Sequence, residues 1–198
     1  MNTKTFRTGV FVFAIVVIST TVAFLFSSQS GFRGTTYNEP FPPAPNFELA
    51  HANGDLFRLN HQREKIVLLF FGYTSCPDVC PTTLAELNQA LQKIGKKAES
   101  VQVILISVDP ERDTPQKIQE YVERFNPSFI GLSGSMGSLQ KIWDDYGIFR
   151  ETIESDAGLI VNHTARVILI DKDVKMRLSY GFDTPVEDIV HDLDLLLK

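Results

Sequence analysis

The segment IVLLFFGYTSCPDVCP, Ile66 to Pro81, decides the fold. Ile66 to Phe71 is a continuous apolar run, the pattern of a central strand buried on both faces. A helix is predicted to follow. Pro81 suits its first position, Leu84, Leu87, Leu91 and Ile94 form a helical stripe, and Gly95 ends it. Cys76 and Cys80 therefore fall where a buried strand turns into a helix, the edge at which ligands gather in open α/β sheets. Cys80 precedes a proline, which disfavours helical geometry and puts it at or just before the cap. The free N–H groups and positive dipole end of the helix favour a thiolate there. Asp78 between the cysteines opposes ionisation and reads as a solvated turn residue.

Downstream the alternation continues. Val101 to Val108 is a second buried strand, and Thr114-Pro115 opens a helix with Ile118, Tyr121, Val122 and Phe125 inward. Phe129 to Leu132 is a short strand, and Leu139, Ile142, Trp143 and Tyr146 form a further helical stripe. Arg166 to Asp171 and Val174 to Tyr180 flank Lys172-Asp173, a link so short that the pair must be antiparallel. Thr184-Pro185-Val186-Glu187 reads as a capping box opening a last helix. Upstream, Asn53-Gly54 within Phe47 to Leu59 signals a hairpin. This order predicts an α/β, thioredoxin-like domain, a mixed sheet flanked by helices, over residues 46–198.

Before the domain, Gly9 to Phe26 carries no charge and no proline. As a helix it would span about 27 Å, just enough for a hydrocarbon core of about 30 Å. Lys4 and Arg7 precede it and the first acid is Glu39, so residues 1–8 are expected in the cytoplasm and the domain outside. The run is longer than the apolar part of a signal peptide, and no Ala-type cleavage site follows. Residues 9–26 thus read as a retained transmembrane anchor, and 27–45, with Pro40, Pro42, Pro43 and Pro45, as an extended tether. The short N-terminus leaves no room for an organellar transit peptide. The expected location is the bacterial inner membrane, single-pass, with the soluble domain in the periplasm. There two close thiols can form a disulfide.

The chain has 19 basic and 24 acidic residues, a net charge of -5. It carries no basic footprint for nucleic acid. Two cysteines are too few for a disulfide scaffold, and a bridge closing so small a loop would constrain the unfolded chain little. Metal or redox chemistry is the better reading of the pair. His163 stands far along the chain, just before the strand read from Thr164. If that strand runs antiparallel to Ile66–Phe71, His163 faces the cysteine turn. Otherwise it is a hydrogen-bonded loop residue. His51, His61 and His191 read as surface residues. Two thiolates and an imidazole are a soft three-donor set suited to copper, whereas structural zinc wants four protein ligands.

FGYTSCPDVCPTTL (Phe71 to Leu84), SVDPERDTP (Ser107 to Pro115) and His163 followed by TARVILID closely resemble the Sco/SenC family. The resemblance implies a thioredoxin-like fold and copper binding through Cys76, Cys80 and His163. It also implies a role in maturing the binuclear copper centre of cytochrome c oxidase, by delivering copper or reducing thiols. Its partners would be the copper-receiving oxidase subunit and a thiol reductant or copper donor protein. The family's histidine is usually flanked by Asp and Ser; here Asn162 and Thr164 stand in those places. Asp109, Glu111, Arg112 and Asp113 are expected to shape the loop beside the site. A metallochaperone rather than an enzyme is expected. The alternatives are a thiol-disulfide oxidoreductase, a peroxide-reducing enzyme using Cys76 and Cys80, and a redox or copper sensor.

Overall fold

The computed structural model describes residues 31–155 and 158–198. The expected anchor, residues 9–26, lies outside the described residues, among which no helix is long and apolar enough to cross a membrane. In chain order the strands are β1 (Thr35–Thr36), β2 (Glu48–Ala50), β3 (Leu56–Arg58), β4 (Ile66–Gly72), β5 (Val101–Ser107), β6 (Ile130–Leu132), β7 (Arg150–Ser155), β8 (Gly158–His163), β9 (Arg166–Ile170) and β10 (Met176–Gly181). The helices are α1 (Val79–Ile94), α2 (Pro115–Glu123), α3 (Met136–Asp145) and α4 (Val186–Leu196).

The apolar runs become the middle of a six-stranded sheet of order β1-β10-β9-β4-β5-β6. Every residue of β4 and β5 is buried, as strands covered on both faces must be. β4 pairs in parallel with β5 and antiparallel with β9, with Phe70 opposite Val167. This is the mixed sheet and helix order of a thioredoxin-like domain. α1 packs against α4, and α2 against β6. Gly131 permits the second contact: a Cβ there would lie 2.5 Å from the Ile118 carbonyl oxygen.

Several local expectations are corrected. α1 begins at Val79, so Cys80 lies inside its first turn and Pro81 is its third residue, not its first. The first four helical N–H groups have no intrahelical partner, so a proline among them removes no bond. Thr184 does not cap α4: its hydroxyl donates to the Gly181 carbonyl, Pro185 takes the cap position, and Glu187 pairs with Lys93. The tether read over 27–45 is built into the domain from Arg33 on. The Arg33 and Gly34 amides donate to the buried Asp192 carboxylate at 2.9–3.1 Å, and β1 pairs with β10. His191 is not a plain surface residue, since its Nδ1 also lies 2.9 Å from that carboxylate. The hairpin β7–β8 has no counterpart in the sequence reading. His163 is the last residue of β8, and the strand after it begins at Arg166 rather than Thr164.

Candidate metal and thiol site

β4 delivers the chain to the site and Gly72 leaves room for it. A Cβ on Gly72 would stand 2.8 Å from the Cys80 sulfur, which is fully buried at 0% exposure. From Tyr73 the chain turns back, the Cys76 amide donating to the Tyr73 carbonyl. The turn aims the Cys76 sulfur at the start of α1, where it accepts the Cys80 N–H at 3.4 Å. That amide is one of the unpaired donors at a helix N-terminus and favours negative charge.

The two thiols differ sharply. A hydrogen bond from the Cys80 thiol, with smaller help from the Cys80 and Asp78 amides and the His163 ring, lowers the Cys76 pKa to about 5 against the opposing effect of burial. The same bond and burial push Cys80 well above the ordinary thiol range. Cys76, half-buried, is therefore the more acidic thiol of the pair, and Cys80 is the one that keeps its proton.

His163 arrives on β8. Its Nδ1–H donates to the Thr164 carbonyl at 3.1 Å. Burial lowers the ring's pKa, which favours the neutral form with a free lone pair on Nε2. Nε2 lies 3.9 Å from the Cys80 sulfur. With bonds of about 2.3 Å to sulfur and about 2.0–2.1 Å to nitrogen, a trigonal or tetrahedral metal holds such atoms about 3.6–3.8 Å apart. Sulfur and imidazole are thus almost at chelating separation. The full set is not assembled: among the described residues, no three Cys, His, Asp or Glu side chains already stand at metal-binding spacing. The Cys76 sulfur is held against the helix amide instead.

The SVDPERDTP segment braces both parts. Asp113 is buried and accepts from the Thr74 amide at 3.1 Å, from the Thr74 hydroxyl and from the Ser107 hydroxyl, tying the cysteine turn to the end of β5. Arg112 pairs with buried Asp109 and donates through Nη1 to the Leu159 carbonyl at 2.9 Å, which anchors β8. Its guanidinium lies 5.7 Å from the Tyr73 ring centroid, and that ring meets the His163 ring edge-on at 5.8 Å.

The SCO1/SenC family profile matches residues 35–198. The chain belongs to the SCO1/SenC family. The SCO2-like protein of Rickettsia prowazekii is 31% identical over 147 residues, 73% of this chain and 72% of the relative. Apo Sco1 of Thermus thermophilus, a solution structure, is 39% identical with a TM-score of 0.76, over 84% of this chain and 97% of that one. ScoI of Bradyrhizobium japonicum, solved with copper bound, is 35% identical with a TM-score of 0.71, over 78% of this chain and 99% of that one. In this SCO1/SenC chain the Cys80 sulfur lies 3.9 Å from His163 Nε2, and Cys76 and His163 line one cleft beside them. Sequence reasoning missed Tyr73 and Gly72. Gly72 carries a usable signal, a glycine closing an otherwise bulky apolar strand, since such a residue marks a close approach.

Proposed function

We propose that this protein is a membrane-anchored copper carrier. It takes up Cu(I) through Cys76, Cys80 and His163 and passes it to the copper-receiving subunit of cytochrome c oxidase, at the binuclear copper centre. It works from the bacterial inner membrane with its domain in the periplasm. The observation that carries this reading is the 3.9 Å separation of the Cys80 sulfur and His163 Nε2. The donors fit the cargo: two sulfurs and a neutral imidazole are soft, and three donors leave a position free for an incoming ligand. Bradyrhizobium japonicum ScoI, with copper bound, supports it by likeness. Cu(I) is titrated into the reduced protein against a chromophoric chelator. One equivalent should bind, and Cys76→Ser, Cys80→Ser and His163→Ala should each weaken binding. Unchanged affinity in any one of them removes that residue from the ligand set.

The contrast between the thiols favours a second reading, reduction of a partner's disulfide. The Cys76 thiolate attacks one partner sulfur and expels the other as a thiolate. Cys80 then loses its proton and attacks Cys76, closing the internal disulfide and releasing the second partner thiol, so two electrons pass to the partner. This route needs both cysteines and not His163. Reduction of a disulfide-bonded partner that survives His163→Ala but not Cys76→Ser assigns the protein to it.

A further inference from the structure

Cys80 is closed off by Gly72 and the helix, so a partner's sulfur can meet the pair only through Cys76. Cys76 opens onto a cleft of about 330 Å³. One wall is the cysteine turn, Cys76 to Val79; the other is the β7–β8 hairpin, chiefly Ile153, Ile160 and Asn162. Ile153 and Ile160 are direct cross-strand partners. They remain 42% and 37% exposed, although two β-branched side chains paired on one face of a ribbon gain from being covered. Two acids stand beside the cleft, while the Arg112 guanidinium, over the Tyr73 ring that lines it, is paired with Asp109. Asp78 lines it, and Glu151, exposed and opposite Asn162, shares the hairpin face of Ile153 by strand alternation.

We propose that this cleft seats an extended segment of a partner protein in which a cysteine has aliphatic neighbours. Its sulfur meets Cys76 while those neighbours cover Ile153 and Ile160. The acidic rim turns away small anionic thiols such as glutathione. The inference rests on the reading of Cys76 as the exchanging thiol, and it names the kind of segment that thiol receives.

The full-length reduced protein is mixed with two pentapeptides, Gly-Leu-Cys-Leu-Gly and Gly-Ser-Cys-Ser-Gly, each capped on cysteine as a mixed disulfide with thionitrobenzoate. Attack by the Cys76 thiolate on the peptide sulfur forms a protein–peptide disulfide and expels thionitrobenzoate, whose colour gives the rate. The leucine peptide is expected to react about tenfold faster, and glutathione carried as the same thionitrobenzoate mixed disulfide slowest of all. In Ile153→Ser and in Ile160→Ser the leucine advantage should shrink, while the small uncharged reagent dithiodipyridine reacts as before. Equal rates for the two peptides with the unsubstituted protein overturn the proposal without any variant. So does a leucine advantage that persists in both variants. Dithiodipyridine, with Cys76→Ser as its control, separates the two readings. Fast reaction that Cys76→Ser abolishes, without peptide preference, defeats only the cleft, and reaction that Cys76→Ser leaves unchanged defeats the reading of Cys76 as the exchanging thiol.

Discussion

The Cys80 sulfur and the Nε2 of His163 lie 3.9 Å apart although 83 positions separate them in the chain. The contact depends on two independent devices. Gly72 lets the sulfur into the sheet edge, and the β7–β8 hairpin, pinned by Arg112, carries the ring to it.

The causes acting on Cys76 rank the partners. The Cys80 thiol contributes most to its lowered pKa and the His163 ring least. His163→Ala should therefore leave the pH midpoint of Cys76 alkylation close to that of the unsubstituted protein while weakening Cu(I) binding. Cys80→Ala should raise the midpoint toward the ordinary thiol range. Iodoacetamide alkylation between pH 4 and 9, read by mass spectrometry, measures both. A large shift in His163→Ala alone would reverse the ranking.

Stability should follow pH with a defined sign. The folded Cys76 is deprotonated above about 5, whereas an unfolded thiol holds its proton to near 9.0. Between these values the unfolded state binds more protons, so the reduced protein gains stability as pH rises and loses it as pH falls through about 5. Above the ordinary thiol range Cys80, whose folded pKa is raised, reverses the slope. Urea unfolding of reduced protein at several pH values tests this, with Cys76→Ser losing the rising part.

Gly72→Ala places a methyl 2.8 Å from the buried Cys80 sulfur. Overpacking of this kind costs about 1–3 kcal/mol. The expected result is a lower urea midpoint with an unchanged m-value, together with weaker Cu(I) binding. Full stability in Gly72→Ala would show that the sulfur has room to move.

Arg112→Ala removes the bond to the Leu159 carbonyl, the ion pair with Asp109 and the stack on Tyr73. The hairpin bearing His163 loses its anchor while the six-stranded sheet is untouched. Cu(I) affinity should fall about 10- to 100-fold, as for the loss of groups that orient a metal ligand. Amide exchange in β8 should quicken and that in β4 and β5 should not. Arg112→Lys, with no planar fork, should recover part of the affinity at most.

Asp113→Ala strips the acceptor from the Thr74 amide, the Thr74 hydroxyl and the Ser107 hydroxyl, all beside buried backbone. Leaving buried donors unpaired costs about 1–3 kcal/mol per group. The variant should melt well below the unsubstituted protein and its Cys76 should alkylate faster, because the turn is no longer tied to β5. An unaltered melting temperature would mean that water replaces the carboxylate at no loss.

The central strands, the two hairpins flanked by turn residues, the helical stripes and the position of the cysteine pair were legible in the sequence. Each is a local matter: periodicity sets the element, and the element sets which residues point inward. The hairpin β7–β8 was not legible. RETIES sets one isoleucine among three charges, and GLIVNH runs Leu, Ile and Val together without alternation, so neither reads as a strand with one buried face. Nor was the seat of Arg33 and Gly34 on Asp192 legible, since a chain segment held by its amides leaves no trace in its side chains. The sequence alone determined which donors exist and that two of them sit at a strand-to-helix corner. Only the tertiary structure decided that His163 reaches Cys80, that Cys76 is the half-buried, more acidic thiol and Cys80 the fully buried one, and which cleft leads in. Those properties come from burial, hydrogen bonding and distance between residues remote in sequence, and no local pattern encodes them.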